Sequence, residues 1–486
     1  MNLRSIKNHL MNKLFTIIFT VFSCCNISFF AQTVDKHESV TTFKNDSILA
    51  ISNDSSLDNF FKKLDLLEKG QIDRLNIVHV GNSHTQAGFI TGEIRNILQN
   101  RFGNAGRGLV FPYKVANSNS PSDVYSFSNV EWLSCRNSYY QDNSNIGICG
   151  FLIETKDSNA VLKLSLNPKS DLNYHFNNLK IFHPFGQDYY DFSIMSSKDR
   201  DILEETAIAI EEIKYQVITG DYLGKIATKF STSVSKIKKL NDLKNDLIFP
   251  GQKIIVKEKE VKISSIPDSA LFDLNYKKST HKYYTEITLL DSLTEYIFFK
   301  NIKTNKTQNL MRWHGIVLEN TFNSGVLYHM IGVNGATYDD YNNTEIFFNQ
   351  LPYLKPDLIV ASLGTNESFE DSVKIISSFS TFYHNLKSID KDLPCILWIP
   401  AESEKKSFES KIIADSLILY AELHNIAYFD LFNIMGGVGS FKALKKDKLA
   451  KKDRVHFTAT GYSLQGRYFS HALLKAYKKY IKRVYD

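Results

Sequence analysis

The stretch Leu75–Leu98, LNIVHVGNSHTQAGFITGEIRNIL, constrains the fold more than any other part of the chain. Its apolar start reads as a buried strand and Gly81-Asn82-Ser83-His84 as a tight turn. Ile90, Ile94, Ile97 and Leu98 then recur at helical spacing and predict one buried helix face. Strand, turn and helix in that order belong to an α/β sheet, which carries its reactive groups at the carboxyl ends of its strands. Ser83 would stand there, beside the unpaired N–H groups and partial positive charge of a helix start, where negative charge is stabilised. That setting suits acyl transfer, although a serine at a helix start is also an ordinary cap.

Three later stretches add to this one: Gly335 in GVNGAT, Asn366 in LGTNE, and Asp453 with His456 in DRVHFTATGY. With Ser83 in GNSH, they stand in the order and setting of the SGNH (GDSL-type) hydrolases. The chain resembles that family from about residue 73 to 113 and from about 314 to the C-terminus. The resemblance implies a flavodoxin-like parallel sheet with helices on both faces. It also implies Ser83 as nucleophile, His456 as base and Asp453 as the group that orients the imidazole. The oxyanion donors would be the backbone N–H groups of Ser83 and Gly335 and the side-chain amide of Asn366. The chemistry agrees, because a serine hydroxyl needs a base to take its proton and a histidine can return that proton to the leaving oxygen. One position departs from the family, which has Asp where this chain has Asn82.

FGNAGRGLVFPY reads as a glycine-rich loop. Gly103, Gly106 and Gly108 are too irregularly spaced for a phosphate cradle and no Lys-Ser/Thr follows, which excludes a nucleotide site. Together with His84 and the later FDLFNIMGGVGS, this loop resembles the peptidoglycan O-acetylesterases within the SGNH group. No cofactor is implied, and no Cys/His spacing suggests a metal.

The hydrolase segments are expected at 59–116 and 313–486. Between them, 117–210 and 260–312 hold short aromatic-rich alternating runs such as AVLKLSLNP, YYDFSIMS and TEYIFFKNI, which predict an inserted β-sandwich. Within that insertion, Lys214–Val256 resembles a LysM module over its whole length. A strand at Tyr215–Ile218 would lead to a helix capped by Asp221 that buries Leu223, Ile226, Ala227 and Phe230. Val234, Ile237 and Leu240 make a second stripe, and Pro250-Gly251 turns the chain into the strand Lys253–Val256. The resemblance implies binding of N-acetylglucosamine-containing glycans, peptidoglycan among them. The groove would be lined by Gly220, Asp221, Tyr222 and Leu223 on one side and Leu247, Ile248, Phe249 and Pro250 on the other.

Residues 1–31 have a basic start, an apolar run Leu14–Phe22 and a small residue, Ala31, as a secretory signal does. Val21-Phe22-Ser23-Cys24 offers lipoprotein cleavage at Cys24 as the alternative, although Phe22 is bulky for it. The apolar run is short for a membrane span and no other segment is long enough, so no transmembrane helix is expected in the mature chain. Residues 32–58 are polar and read as a linker. Arg4, Lys7 and Lys13 of the leader supply half of the formal charge of +6, leaving too little to suggest nucleic acid. An oxidising compartment permits a Cys135–Cys149 bridge.

These features predict an exported serine esterase, periplasmic or attached to the cell envelope, that removes O-acetyl groups from cell-wall glycan, peptidoglycan foremost. An O-acetyltransferase or an esterase for another acetylated polysaccharide would share the acyl-enzyme. A non-catalytic LysM wall-binding protein is the alternative of another class.

Overall fold

Five strands, each apolar on both faces, make the sheet that carries the serine turn. In the computed structural model, which describes residues 49–139, 145–167, 174–199, 202, 207–230, 232–263, 270–369 and 372–486, they are parallel throughout. Their order across the sheet is Gly325–Gly332, Arg74–Gly81, Leu358–Ser362, Cys395–Ile399, Ala427–Asp430. The leader and Cys24 lie outside the described residues.

Side chains alternate between the faces, as strand geometry requires. Leu75, Ile77, Leu358, Val360, Ile396 and Trp398 enter one core with Phe60, Ile94, Leu98, Phe469 and Tyr477. Those last residues come from the helices Asp58–Glu68, Phe89–Phe102 and Ala459–Tyr485. Val78, Val80, Ile359, Ala361 and Leu397 enter the other core with Phe379, Phe382, Ile413 and Leu417, from the helices Ile375–Ile389 and Ser407–Leu423. The sheet is therefore covered on both sides, as the continuous apolar runs predict. Its chain order reverses around Arg74–Gly81, so the carboxyl end of that strand is the switch point at which such sheets bind ligands.

Between the first two strands of this sheet the chain builds two five-stranded antiparallel sheets. One orders Leu271–Asp273, Asp191–Ser197, Tyr296–Ile302, Val161–Leu166 and Val124–Ser128. The other orders Tyr276–Thr280, Tyr284–Leu289, Asn178–Phe182, Gly315–Glu319 and Gly108–Val110. Phe192 and Phe299 of one sheet meet Trp313, just before a strand of the other, at ring separations of 5.2 and 4.8 Å. Their apolar core is continuous with one face of the parallel sheet.

Two readings from the sequence need correcting here. Gly108–Val110 is a strand paired with Ile316–Leu318, although FGNAGRGLVFPY reads as a loop and both stretches read as hydrolase. The strand forms because Gly108 has no side chain. A Cβ there would lie 2.5 Å from the Tyr328 carbonyl oxygen. Nor is the segment from Ala50 to Leu57 a linker. Ser52 exchanges backbone hydrogen bonds with Tyr428 at the sheet edge (3.0 and 3.2 Å), Asn53 donates to the Ala421 and Ile426 carbonyls, and Ile51 and Leu57 are buried.

The strands Ala207–Gln216 and Lys253–Ile263 pair antiparallel around the helices Leu223–Lys229 and Val234–Leu240. Val217, Leu223, Ile226, Ala227, Ile237, Ile254 and Val256 form their core. Asp221 does not cap the first helix. Its carboxylate accepts the Ile218 N–H at 3.1 Å and the Tyr215 hydroxyl at 2.8 Å, closing the strand-to-helix turn. Among the described residues, no helix is long and apolar enough to cross a membrane.

Candidate active site

Ser83 opens a one-turn helix, Ser83–Gln86, at the end of the central strand. Gly88, with φ +78°, separates it from the helix Phe89–Phe102, so the single helix predicted after the turn is two. Ile90, Ile94 and Leu98 are buried as expected, with Arg95 and Gln99 beside them in place of Ile97. Asn82 caps the first turn, its side chain accepting the His84 N–H at 3.1 Å. The turn lies tight against the next strand, for a Cβ on Gly332 would approach the Gln86 nitrogen to 2.5 Å.

The serine reaches a histidine 373 residues further along the chain. Ser83 Oγ lies 2.9 Å from His456 Nε2, and His456 Nδ1 lies 3.0 Å from Asp453 Oδ2. The other Asp453 oxygen accepts the backbone N–H groups of Val455 (3.0 Å) and His456 (2.9 Å). These bonds fold the Asp-x-x-His segment back on itself, and the Ala450–Phe457 bridge closes its base. Burial pushes the Asp453 carboxyl up. The two N–H groups and the imidazole outweigh that effect and hold it below the usual carboxylate range. The carboxylate therefore keeps Nδ1 protonated and leaves the Nε2 lone pair facing the hydroxyl.

The other two predicted positions are Gly335 and Asn366. Gly335 has φ +85°, a conformation that costs a side-chain-bearing residue and not glycine. Asn366 donates one amide N–H to the Ala336 carbonyl at 2.8 Å. An amide has two N–H groups, and this bond uses one of them.

Three side chains that sequence reasoning passed over hold these parts in register. Gln86 accepts the Asn334 N–H at 2.7 Å and donates to Ser118 Oγ and the Asn119 carbonyl, tying the serine turn to the Gly335 loop. Buried Glu367 accepts the N–H groups of Tyr338 and Gly364, both at 2.9 Å, and so fixes the loop that carries Asn366. Tyr462 places its hydroxyl 2.9 Å from His84 Nδ1, while the His84 ring packs 5.1 Å from that of His456. Burial, and then the neighbouring His456 imidazole, push His84 down to about 3, so it stays uncharged beside the base. Each lies inside a stretch quoted above, Gln86 in GNSHTQ, Glu367 in LGTNE and Tyr462 at the end of DRVHFTATGY, but nothing in those stretches shows its partner.

The Cys135–Cys149 bridge that the sequence permits is not formed, both being free thiols. In the smaller module, Tyr222, Leu247 and Phe249 are each more than 60% exposed on the two turns that meet through the Gly251 N–H to Val217 carbonyl bond. Leu223, predicted to line the groove, instead packs into the module's core, and Ile248 packs partly against that core.

A parallel sheet in this order, with the serine turn at its switch point, is the SGNH-hydrolase fold, here interrupted by a sandwich that carries a LysM domain. Residues 215–257 match the LysM domain family. A solved structure of a peptidoglycan O-acetylesterase is similar over 87% of this chain and 96% of its own, with a TM-score of 0.55 at 16% identity, which shows a shared fold. Among curated proteins, the N-acetylmuramoyl-L-alanine amidase sle1 of Staphylococcus epidermidis is 36% identical over 102 residues, covering 18% of this chain and 32% of that protein. The probable peptidoglycan endopeptidase LytE of Bacillus subtilis is 54% identical over 43 residues, 9% of this chain and 13% of that protein. The chain spans a third or less of the length of these curated relatives.

Proposed function

We propose that the chain is an exported serine esterase that removes O-acetyl groups from cell-wall glycan, with peptidoglycan as its substrate. The reading rests above all on the continuous hydrogen-bonded series Ser83, His456, Asp453 at the switch point of the sheet. The LysM match, and the similarity to a peptidoglycan O-acetylesterase and to the probable peptidoglycan endopeptidase LytE, support the choice of glycan.

Ser83 Oγ attacks the acetyl carbonyl carbon as His456 Nε2 takes its proton. The carbonyl oxygen becomes an oxyanion, received by the N–H groups of Ser83 and Gly335 and the free N–H of Asn366. Collapse breaks the bond to the sugar oxygen, which leaves with the proton from His456, and acetyl-Ser83 remains. Water then attacks with His456 again as base, releasing acetate and restoring the hydroxyl. Ser83 is half-buried and the His456 side chain 34% exposed, so a polymer has access from solvent.

Acetate release from O-acetylated peptidoglycan tests the reading. Ser83→Ala should lower turnover by several orders of magnitude, ~10⁶ in a well-studied triad enzyme, with an unchanged circular dichroism spectrum. Undiminished turnover in that variant would remove Ser83 from the reaction.

A further inference from the structure

The insertion does more than interrupt the hydrolase, because it reaches one wall of the serine site. Leu133–Arg136 is an edge strand of a small sheet with Phe151–Thr155 and Met311–Trp313. Just beyond it, Asn137 is buried and donates its backbone N–H to the Gly150 carbonyl at 3.1 Å. Ser138 Oγ donates to the Asn334 carbonyl at 2.8 Å. Asn334 is thus held twice, its N–H by Gln86 of the hydrolase and its carbonyl by Ser138 of the insertion. A Cβ placed on Gly335 would stand 3.6 Å from Ser138 Oγ and 3.7 Å from the Tyr139 hydroxyl. The Tyr139 ring remains 74% exposed, with the Arg136 guanidinium 4.1 Å from its centroid. Among the described residues, no carboxylate pairs with Arg136.

An exposed aromatic ring anchored beside an acyl site offers a face to sugar C–H groups. A guanidinium stacked on that ring, with its N–H edge free, presents a planar fork suited to a carboxylate. We propose that Arg136 and Tyr139 form the sugar-recognition subsite of this esterase, and that the subsite selects glycans with a carboxylate on the acetylated sugar or its immediate neighbour. The inference rests on the esterase reading above and names the feature of the substrate that the catalytic residues do not read.

The test uses the full chain and one preparation of O-acetylated glycan strands freed of their stem peptides, whose amide bonds otherwise occupy the sugar carboxyls, in two forms, with the sugar carboxylates free or converted to methylamides. Acetate release gives kcat/KM for each form. The wild type should prefer the free acid by about 10-fold, the scale of one charge-assisted contact at a half-exposed site. Arg136→Gln should bring the ratio close to one, and Arg136→Lys, which keeps the charge and loses the planar fork, should fall between. Tyr139→Ala should raise KM for both forms and leave their ratio in place, with Tyr139→Phe restoring KM. Thermal unfolding of each variant confirms that it folds. A wild-type ratio near one, or a ratio that survives in Arg136→Gln, overturns the subsite while the esterase reading stands. A wild type that releases acetate from neither form removes both.

Discussion

Lowering the pH should unfold this protein well before its carboxylates titrate, because five histidines, four of them buried and His84 half-buried, are held uncharged. His79, His84, His314 and His329 are pushed by burial to about 3, and His183 to about 4, from an ordinary value of 6.5. Their hydrogen-bond partners are neutral, the Tyr328 hydroxyl for His79, Tyr462 for His84, Thr285 for His183, Gln350 for His314 and Asn76 for His329, and nearby cations such as Lys278 for His183, Arg312 for His314 and Lys180 for His329 add to the effect of burial. A group whose folded value is depressed in this way adds almost no penalty a unit or more above pH 6.5, where it is neutral in both states. Below that, the unfolded chain takes up a proton that the folded chain refuses. At pH 5.5 each imidazole favours unfolding by about 1.4 kcal/mol, and five together by roughly 7 kcal/mol. That is comparable to the whole stability of a typical protein, about 5–15 kcal/mol. The result is insensitive to the folded values, since any value below about 4.5 gives almost the same figure at pH 5.5. Asp123, Asp453 and Glu402 have folded values below their ordinary ones, so the stability they contribute is present above about pH 4 and is lost only below the window used here. Urea unfolding followed by circular dichroism at pH 7.5, 6.5, 6.0 and 5.5 measures the effect. More than half of the loss should have occurred by pH 6. His183→Gln, which cannot titrate, should remove about one fifth of it. A stability that changes by less than about 2 kcal/mol across this range would refute the reasoning.

Two further outcomes follow from the site and the LysM domain. Asn366→Ala removes one of the proposed oxyanion donors and should lower kcat by ~10²–10³-fold with little change in KM, read from steady-state hydrolysis of an acetyl ester. Tyr222→Ala combined with Phe249→Ala strips two exposed rings from the LysM turns. It should reduce pelleting with cell-wall sacculi while leaving the unfolding temperature in place, since neither ring belongs to the module's core. Equal pelleting would show that these turns do not hold the wall.

The parallel sheet was legible because its strands are buried on both faces. Leu358–Ser362 and Cys395–Ile399 are buried at every residue, and such runs, spaced by helical stretches, admit few architectures. The strand Gly108–Val110 was not legible, because three residues carry too little pattern and its glycine punctuates the sequence as a loop would. What makes it a strand is a carbonyl of Tyr328, more than two hundred residues away, that only a residue without Cβ can approach. The segment from Ala50 to Leu57 misled for a related reason. Its Ser, Asn and Asp residues read as solvated linker, whereas Ser52 and Asn53 spend their polar groups on the edge strand's backbone and on two carbonyls of the preceding helix and turn.

The same distinction runs through the site. Ser83, Asp453 and His456 could be read because each sits in a local segment whose backbone dictates its direction: a capped turn for the serine, and a carboxylate that accepts its own loop's N–H groups for the Asp–His pair. Gln86 could not be read, since its work is done on Asn334, 248 residues away, and a buried glutamine has no sequence signature until its partner is known. Tyr462 is a further step removed, lying 378 residues from His84 and acting on the catalytic imidazole only through that ring. These long-range contacts fix where Ser83, Gly335 and His456 stand relative to one another, and tolerances of about 1 Å decide whether such a constellation works. The motifs therefore specify which side chains meet at the serine turn. Their spacing is set by polar side chains that were invisible as motifs, one of which, Ser138, comes from the insertion and not from the hydrolase at all.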